Sequence, residues 1–284
     1  MNNTTDLGSR RELSDDDCEL IRAALKLISS AVLFEFAREP RGIREGILGN
    51  LVARAQRVLD GVFALWALRD YQDCLVLFRC LLERYFLLVD LWENDSFELF
   101  EEWSFLEQFK AVQRVLGDES VDTGREDLFV PPTPEQKRRA TQLFRHPPQW
   151  RRPKAEDVAK RQGLWFLYTY GYDQASAHVH PMASDGMEDF YLLTGLIPAP
   201  AFPDQSSVLR NTLLLDTMIV QDAMNASRMR WMQVVWDALD DVRKFMADDE
   251  KDLTAQVATL NAAFRQGLVL SQTDPDSGPS AAPR

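Results

Sequence analysis

At 284 residues the chain can build one large domain or two small ones, and its 45% hydrophobic content is that of a globular protein rather than a disordered one. A formal net charge of -12 disfavours a nucleic-acid footprint spread over the whole surface, leaving only local exceptions. Cys18, Cys74 and Cys80 lack zinc-site spacing and read as small thiols of a reducing cytosol; with a polar opening from Met1 to Arg11, the expectation is a soluble, cytoplasmic protein.

Helix formers outnumber β-branched residues and no stretch alternates with period 2, so the expected fold class is all-α. Residues 1–13 read as a flexible N-terminus. Ser14 ahead of Asp15, Asp16 and Asp17 is a helix start, with a side-chain cap and carboxylates over the positive dipole end. Ile21, Ala24, Leu25, Ile28, Val32 and Phe36 then recur at helical spacing to about Arg38. Further helices are expected over Ile43 to Leu68, Tyr71 to Trp92 and Ser96 to Leu116. The breaks are short, so these four are expected to pack as an antiparallel bundle.

Gly117 to Pro134 is the first long break. Short helices, Pro134 to Phe144 and Ala155 to Gln162, flank the Pro-interrupted stretch from His146 to Pro153. A helix from Leu164 to Val179 ends ahead of Pro181, and a short one covers Met187 to Leu193. One long C-terminal helix is expected from Ser207 to Ala247, with a short one from Leu253 to Phe264. Met218, Met224, Met229 and Met232 with Trp231 and Trp236 make the long helix apolar over much of its circumference, which suits core packing and, as an added expectation, a homodimer interface. The whole is expected to be a multi-helix bundle with an irregular Pro-rich middle: one helical domain over 14–266 and a disordered tail over 267–284. No stretch reads as membrane-spanning. Leu75–Trp92 is interrupted by Arg79, Glu83, Arg84 and Asp90, and Leu213–Trp236 by Asp216, Asp222, Arg228 and Arg230.

Two polar stripes stand where a core is expected. On the third helix Gln72, Arg79, Glu83 and Asp90 fall within roughly 40° of one another, beside Leu75, Leu82 and Phe86. On the Leu164–Val179 helix Tyr168, Tyr172, Ser176 and His180 follow at four-residue spacing. A guanidinium, a carboxylate, hydroxyls and an imidazole are the parts of an acid–base or phosphate-binding site. As a catalytic set, His180 is the general acid/base, Arg79 holds a phosphate and Glu83 orients Arg79, with Tyr168, Tyr172 and Ser176 binding the ligand. The same groups also suit a structural network that fixes helix register, or a non-catalytic scaffold that holds a protein partner. With no Gly-rich phosphate loop, CxxC or His-x-x-x-His pattern, no cofactor and no metal are expected.

Lys137, Arg138, Arg139, Arg145, Arg151, Arg152, Lys154, Lys160 and Arg161 share a segment whose only acids are Glu156 and Asp157. With Trp150 among them, the segment 137–161 suits an RNA or nucleotide ligand; equally, its cations suit neutralisation of acidic helices elsewhere.

The pair Arg79 and Glu83, the segment Trp150-Arg151-Arg152-Pro153 through Gly163, and the run from Tyr172 through Ser176 to His180-Pro181 resemble the domain of unknown function 5677 family of helical, mostly bacterial proteins. The resemblance spans about 43–185 and implies a fold and a site rather than an activity. A looser similarity is to the HEPN superfamily, whose signature is Arg, four to six residues, then His. Arg139 and His146 satisfy that spacing, while no Arg precedes His178 or His180 at that distance. This similarity implies a metal-independent ribonuclease or nucleotide-acting enzyme in a bacterial stress or phage-defence setting.

Overall fold

Ser14 opens α1 (Asp15–Arg38) with a reciprocal cap: its hydroxyl accepts from the Asp17 amide at 3.1 Å, and the Asp17 carboxylate accepts from the Ser14 amide at 3.0 Å. The computed structural model describes residues 13–38, 42–118, 130–177, 179, 186–195, 207–227, 232–247, 253–255, 257–259 and 261–262. The expected loose N-terminus, His178, His180, Met229, Trp231 and the tail lie outside them, the terminus save for Leu13. After α1 come α2 (Ile43–Ala67), α3 (Tyr71–Glu93), α4 (Phe97–Leu116), α5 (Pro134–Arg145) and α6 (Ala155–Arg161). The Asp70 side chain caps α3 by accepting from the Asp73 amide at 3.1 Å. A capping box between Thr133 and Gln136, with Pro134 at the first helical position, opens α5.

The expected Leu164–Val179 helix is not uniformly α. It runs as α7 (Trp165–Leu167), a π-helix (Tyr168–Asp173) and α8 (Gln174–Ser176). Next are α9 (Met187–Thr194), α10 (Ser207–Asn225) and α11 (Met232–Ala247). Among the described residues there is no strand, and the all-α expectation is borne out. No helix among them is long and apolar enough to cross a membrane.

Cross-contacts give the helix directions. Cys74 on α3 reaches the Val62 carbonyl on α2, and a Cβ at Gly61 would meet Leu77, so α2 and α3 run antiparallel through a tight turn. Gln56 on α2 bonds Asp216 on α10, and Tyr85 on α3 bonds Asp222; α10 therefore lies along α3 in the same direction. Arg22–Asp60 and the Phe36–Gly49 contact set α1 antiparallel to α2.

Two expectations are corrected. The fourth core helix is α10, not α4: α10 packs on α1, α2 and α3, while of α4 only Phe97 and Leu106 are buried. The long C-terminal helix is two helices. The α-helix stops at Asn225, Ser227 donates its hydroxyl to the Met224 carbonyl, and α11 returns along α10. That return is fixed by Arg243 Nε to Thr217 Oγ1 at 3.1 Å and Arg210 to the Met246 carbonyl at 2.7 Å. The broad apolar circumference of α10 is used within the chain, because Leu209, Leu213, Ile219, Val220 and Met224 are all buried among its neighbours. Each such side chain contributes about 1.5 to 3 kcal/mol when withdrawn from water. Cys18 and Cys74 are also buried, and burial pushes their thiols up to about 11 and about 12.

Candidate functional site

Arg79 and Glu83 stand one turn apart on α3, on the side that meets the π-helix. The approach is close because residue 171 is glycine: an added Cβ there would lie 3.1 Å from Leu82 Cδ1 and 3.4 Å from Phe78 Cε1. Both neighbours are buried and have little room to yield. The π-helix thereby brings its polar residues onto Arg79. Arg79 Nε donates to Ser176 Oγ at 2.9 Å, and its Nη2 donates to Tyr172 Oη at 3.1 Å. The same nitrogen pairs with Glu83 Oε1 at 3.1 Å. Tyr172 Oη donates to Glu83 Oε1 at 3.2 Å, and Ser176 Oγ donates to the Tyr172 carbonyl at 2.6 Å. The structure thus brings Arg79, Glu83, Tyr172 and Ser176 into one hydrogen-bonded group.

Tyr168 extends this group as part of a column of rings. It stacks on Tyr172 at 5.7 Å and on Trp165 at 5.2 Å between centroids. Cations close both ends, Arg79 over Tyr172 at 4.9 Å and Lys160 over Trp165 at 5.2 Å. Burial first, and then the Glu83 carboxylate, hold the Tyr172 phenol above its ordinary range, so it stays a neutral donor near pH 7.

Beyond Glu83 and Tyr172 a cleft of about 280 Å³ opens. Leu51, Phe86, Leu87, Pro153 and Ala155 supply its apolar lining, and Glu83, Arg84, Arg152 and Tyr172 the polar groups. Arg79 does not line it; its guanidinium faces Ser176, Tyr172 and Glu83. Arg84 donates to the Cys80 carbonyl at 2.5 Å, and among the described residues no carboxylate lies within ion-pair distance of Arg84 or Arg152. The cleft therefore presents two unneutralised guanidinium groups beside an apolar lining.

Arg152 is placed by anchors on either side. Two residues before it, Trp150 is buried with its ring 4.9 Å from Phe100 and 4.6 Å from Trp103. After it, α6 buries Val158 and Ala159 and ties Arg161 to Asp90 at 2.6 Å and to Glu93 at 3.3 Å. Asp90, on the same expected stripe as Arg79, serves this separate anchor.

The basic segment divides. Arg139 makes a two-pronged pair with Glu101 and lies over Phe105, Lys160 pairs with Glu156, and Arg161 with Asp90. Lys137, Arg138, Arg145, Arg151 and Lys154 remain exposed. Trp150 is a buried anchor, not the exposed stacking platform that its basic surroundings suggested. Arg139 is taken by Glu101, while His146 stands exposed beyond the end of α5; the pair that fits the HEPN spacing has no shared contact among the described residues. Sequence reasoning placed Arg152 in the basic segment 137–161 but did not join it to the α3 stripe, and it missed Arg84 as a lining residue of this cleft. The available signal for Arg84 was its position directly after Glu83.

A sequence profile for a family of unknown function, DUF5677, matches residues 45–192, more than half of the chain. The chain belongs to this family. The DUF5677 region runs from the first turn of α2 through α8 and so contains every residue of the network and the cleft, whereas α1, α10 and α11 complete the core from outside it. No curated protein and no solved structure matches the chain.

Within the DUF5677 region, Arg79→Ala is expected to cost about 2 to 3 kcal/mol of unfolding free energy, because it strips three partners at once and leaves Glu83 without its cation. Urea denaturation of the single variants and of Arg79→Ala/Glu83→Ala checks this. The double variant should lose clearly less than the sum of the two singles; strict additivity would show that the pair is not coupled.

Proposed function

We propose that the cleft between α3, the 152–155 segment and the π-helix binds a phosphate-bearing ligand, RNA or a nucleotide. The observation that carries this reading is the pair of guanidiniums, Arg84 and Arg152, that line one cleft without carboxylate partners among the described residues. In a chain of net charge -12 such a pairless concentration of positive charge calls for an anion. The apolar lining of Leu51, Phe86 and Leu87 suits a planar, weakly polar ring. The exposed cations Lys137, Arg138, Arg145, Arg151 and Lys154 belong to the same stretch of chain and favour an acidic ligand over an acidic protein surface.

Here the roles shift from the first reading. Arg84 and Arg152 contact the phosphate; Arg79, through Glu83 and Tyr172, positions one wall. His180, four residues beyond Ser176, is the proposed general acid/base if the ligand is turned over. Titration calorimetry with nucleotides and short RNA tests the binding. Arg84→Gln/Arg152→Gln should weaken affinity by about tenfold to a hundredfold, at about 1.5 kcal/mol or more per charged contact, with an unchanged melting temperature. Unchanged affinity in that variant would overturn the reading. For catalysis, His180→Ala should abolish RNA or nucleotide turnover without lowering the melting temperature, and activity that survives it removes His180 from the mechanism.

A further inference from the structure

The charge count in the cleft specifies which phosphate. Glu83 is neutralised by Arg79 at 3.1 Å, so Arg84 and Arg152 leave the cleft with two positive charges uncompensated. An internal phosphodiester carries a single negative charge, whereas a phosphate monoester carries about -1.5 to -2 at neutral pH. Only the monoester matches the pair.

Space and hydrogen bonding point the same way. At about 280 Å³ the cleft lies just under the usual span of small-ligand sites, about 300 to 1,000 Å³, so it holds no more than a single nucleotide-sized unit. Glu83 Oε1 accepts from both Arg79 and Tyr172, while no group among the described residues donates to Oε2. That oxygen, in a residue lining the cleft, is an acceptor ready for a hydroxyl or amine hydrogen on the ligand.

We infer that the cleft recognises a terminal phosphate monoester whose attached body carries an O–H or N–H donor: a nucleoside monophosphate or the phosphorylated end of an RNA strand. This inference rests on the anion-binding reading above and narrows it. Arg84 and Arg152 share the phosphate oxygens, and Glu83 Oε2 accepts from the sugar or base.

Calorimetry on the full chain with four probes tests it: a nucleoside monophosphate, inorganic phosphate, and one short RNA with and without a terminal phosphate. The phosphorylated RNA should bind about tenfold tighter than its hydroxyl-ended twin, whose internal diesters offer the two guanidiniums a single charge instead of about -1.5 to -2. The advantage should shrink at pH 5, below the second phosphate ionisation near pH 6, and in Arg152→Gln. Equal binding of the two RNAs, with both weakened by Arg84→Gln, would overturn the monoester assignment while the anion-binding reading stands. Inorganic phosphate binding as tightly as the nucleotide would overturn the role of Glu83 Oε2. Binding of all four probes untouched by Arg84→Gln/Arg152→Gln would sink the cleft itself. If the assignment holds, the nucleoside monophosphate arm against the phosphorylated RNA arm tells which source supplies the ligand.

Discussion

Asp216→Asn is expected to raise stability relative to the natural protein by an amount that grows by about 3 kcal/mol between pH 5 and pH 8. Asp216 sits at the centre of α10 with no exposure; Gln56 Nε2 donates to its Oδ2 at 2.7 Å, and its Oδ1 has no hydrogen-bond partner among the described residues. Burial pushes this carboxyl up from 3.8 to about 7, and the single bond from Gln56 only partly opposes it. The sign follows from the two states. Below about pH 4 both folded and unfolded chains bind the proton and the group contributes nothing. Between there and pH 7 the unfolded chain is ionised while the folded one stays protonated, so each pH unit favours unfolding by about 1.4 kcal/mol. Above pH 7 the full penalty of about 4 kcal/mol stands. Asparagine keeps an acceptor for Gln56 and has no proton to lose. Urea unfolding of both proteins at pH 5, 6.5 and 8 checks the trend, and a stability difference independent of pH would refute it.

Trp150→Ala is expected to cost about 3 to 5 kcal/mol, the usual range for emptying a buried aromatic site. The Trp150 ring packs against both Phe100 and Trp103, and without it α4 loses its ring contacts with the segment that leads into the cleft. The consequence reaches the site, because Arg152 is held only two residues away. Affinity for the proposed ligand, measured below the lowered melting temperature, should fall along with stability. Trp150→Phe should recover most of both, since a smaller ring still packs against two aromatic neighbours. A contrasting expectation holds for Phe166→Ala. That side chain is 70% exposed, and its loss should change stability by less than about 1 kcal/mol. A Trp150→Ala protein that keeps full nucleotide affinity would show that the anchor does not position Arg152.

The local features were legible in the residues themselves. Ser14 with three aspartates, the break that ends at Pro134, and the apolar period from Ile21 to Phe36 mark helices whose observed bounds lie within a residue or two of those expected. The four-residue spacing of Tyr168, Tyr172 and Ser176 placed them on one side, and that side does meet Arg79. Such signals act over one or two turns of chain, where geometry is nearly independent of the rest of the molecule.

What the residues could not express is which helices become neighbours. The aromatic run of α4 looked like a fourth core face, yet α10 holds that place, because burying a helix on nearly all sides removes more apolar surface from water than burying one stripe. The stop at Asn225 carries no proline or glycine; it is set by α11 folding back on α10 through Arg243, Arg210 and Trp236. Whether a given arginine is spent or free also depends on partners far along the chain. Arg79 is taken up by residues 93 and 97 positions away, Arg161 by one 71 positions away, and Arg84 and Arg152 by none of the described carboxylates. Helix identity is thus a property of neighbouring residues, read directly from the chain. The cleft and its charge are properties of packing, because electrostatic pairing is decided by distance in space, which only the assembled tertiary structure sets.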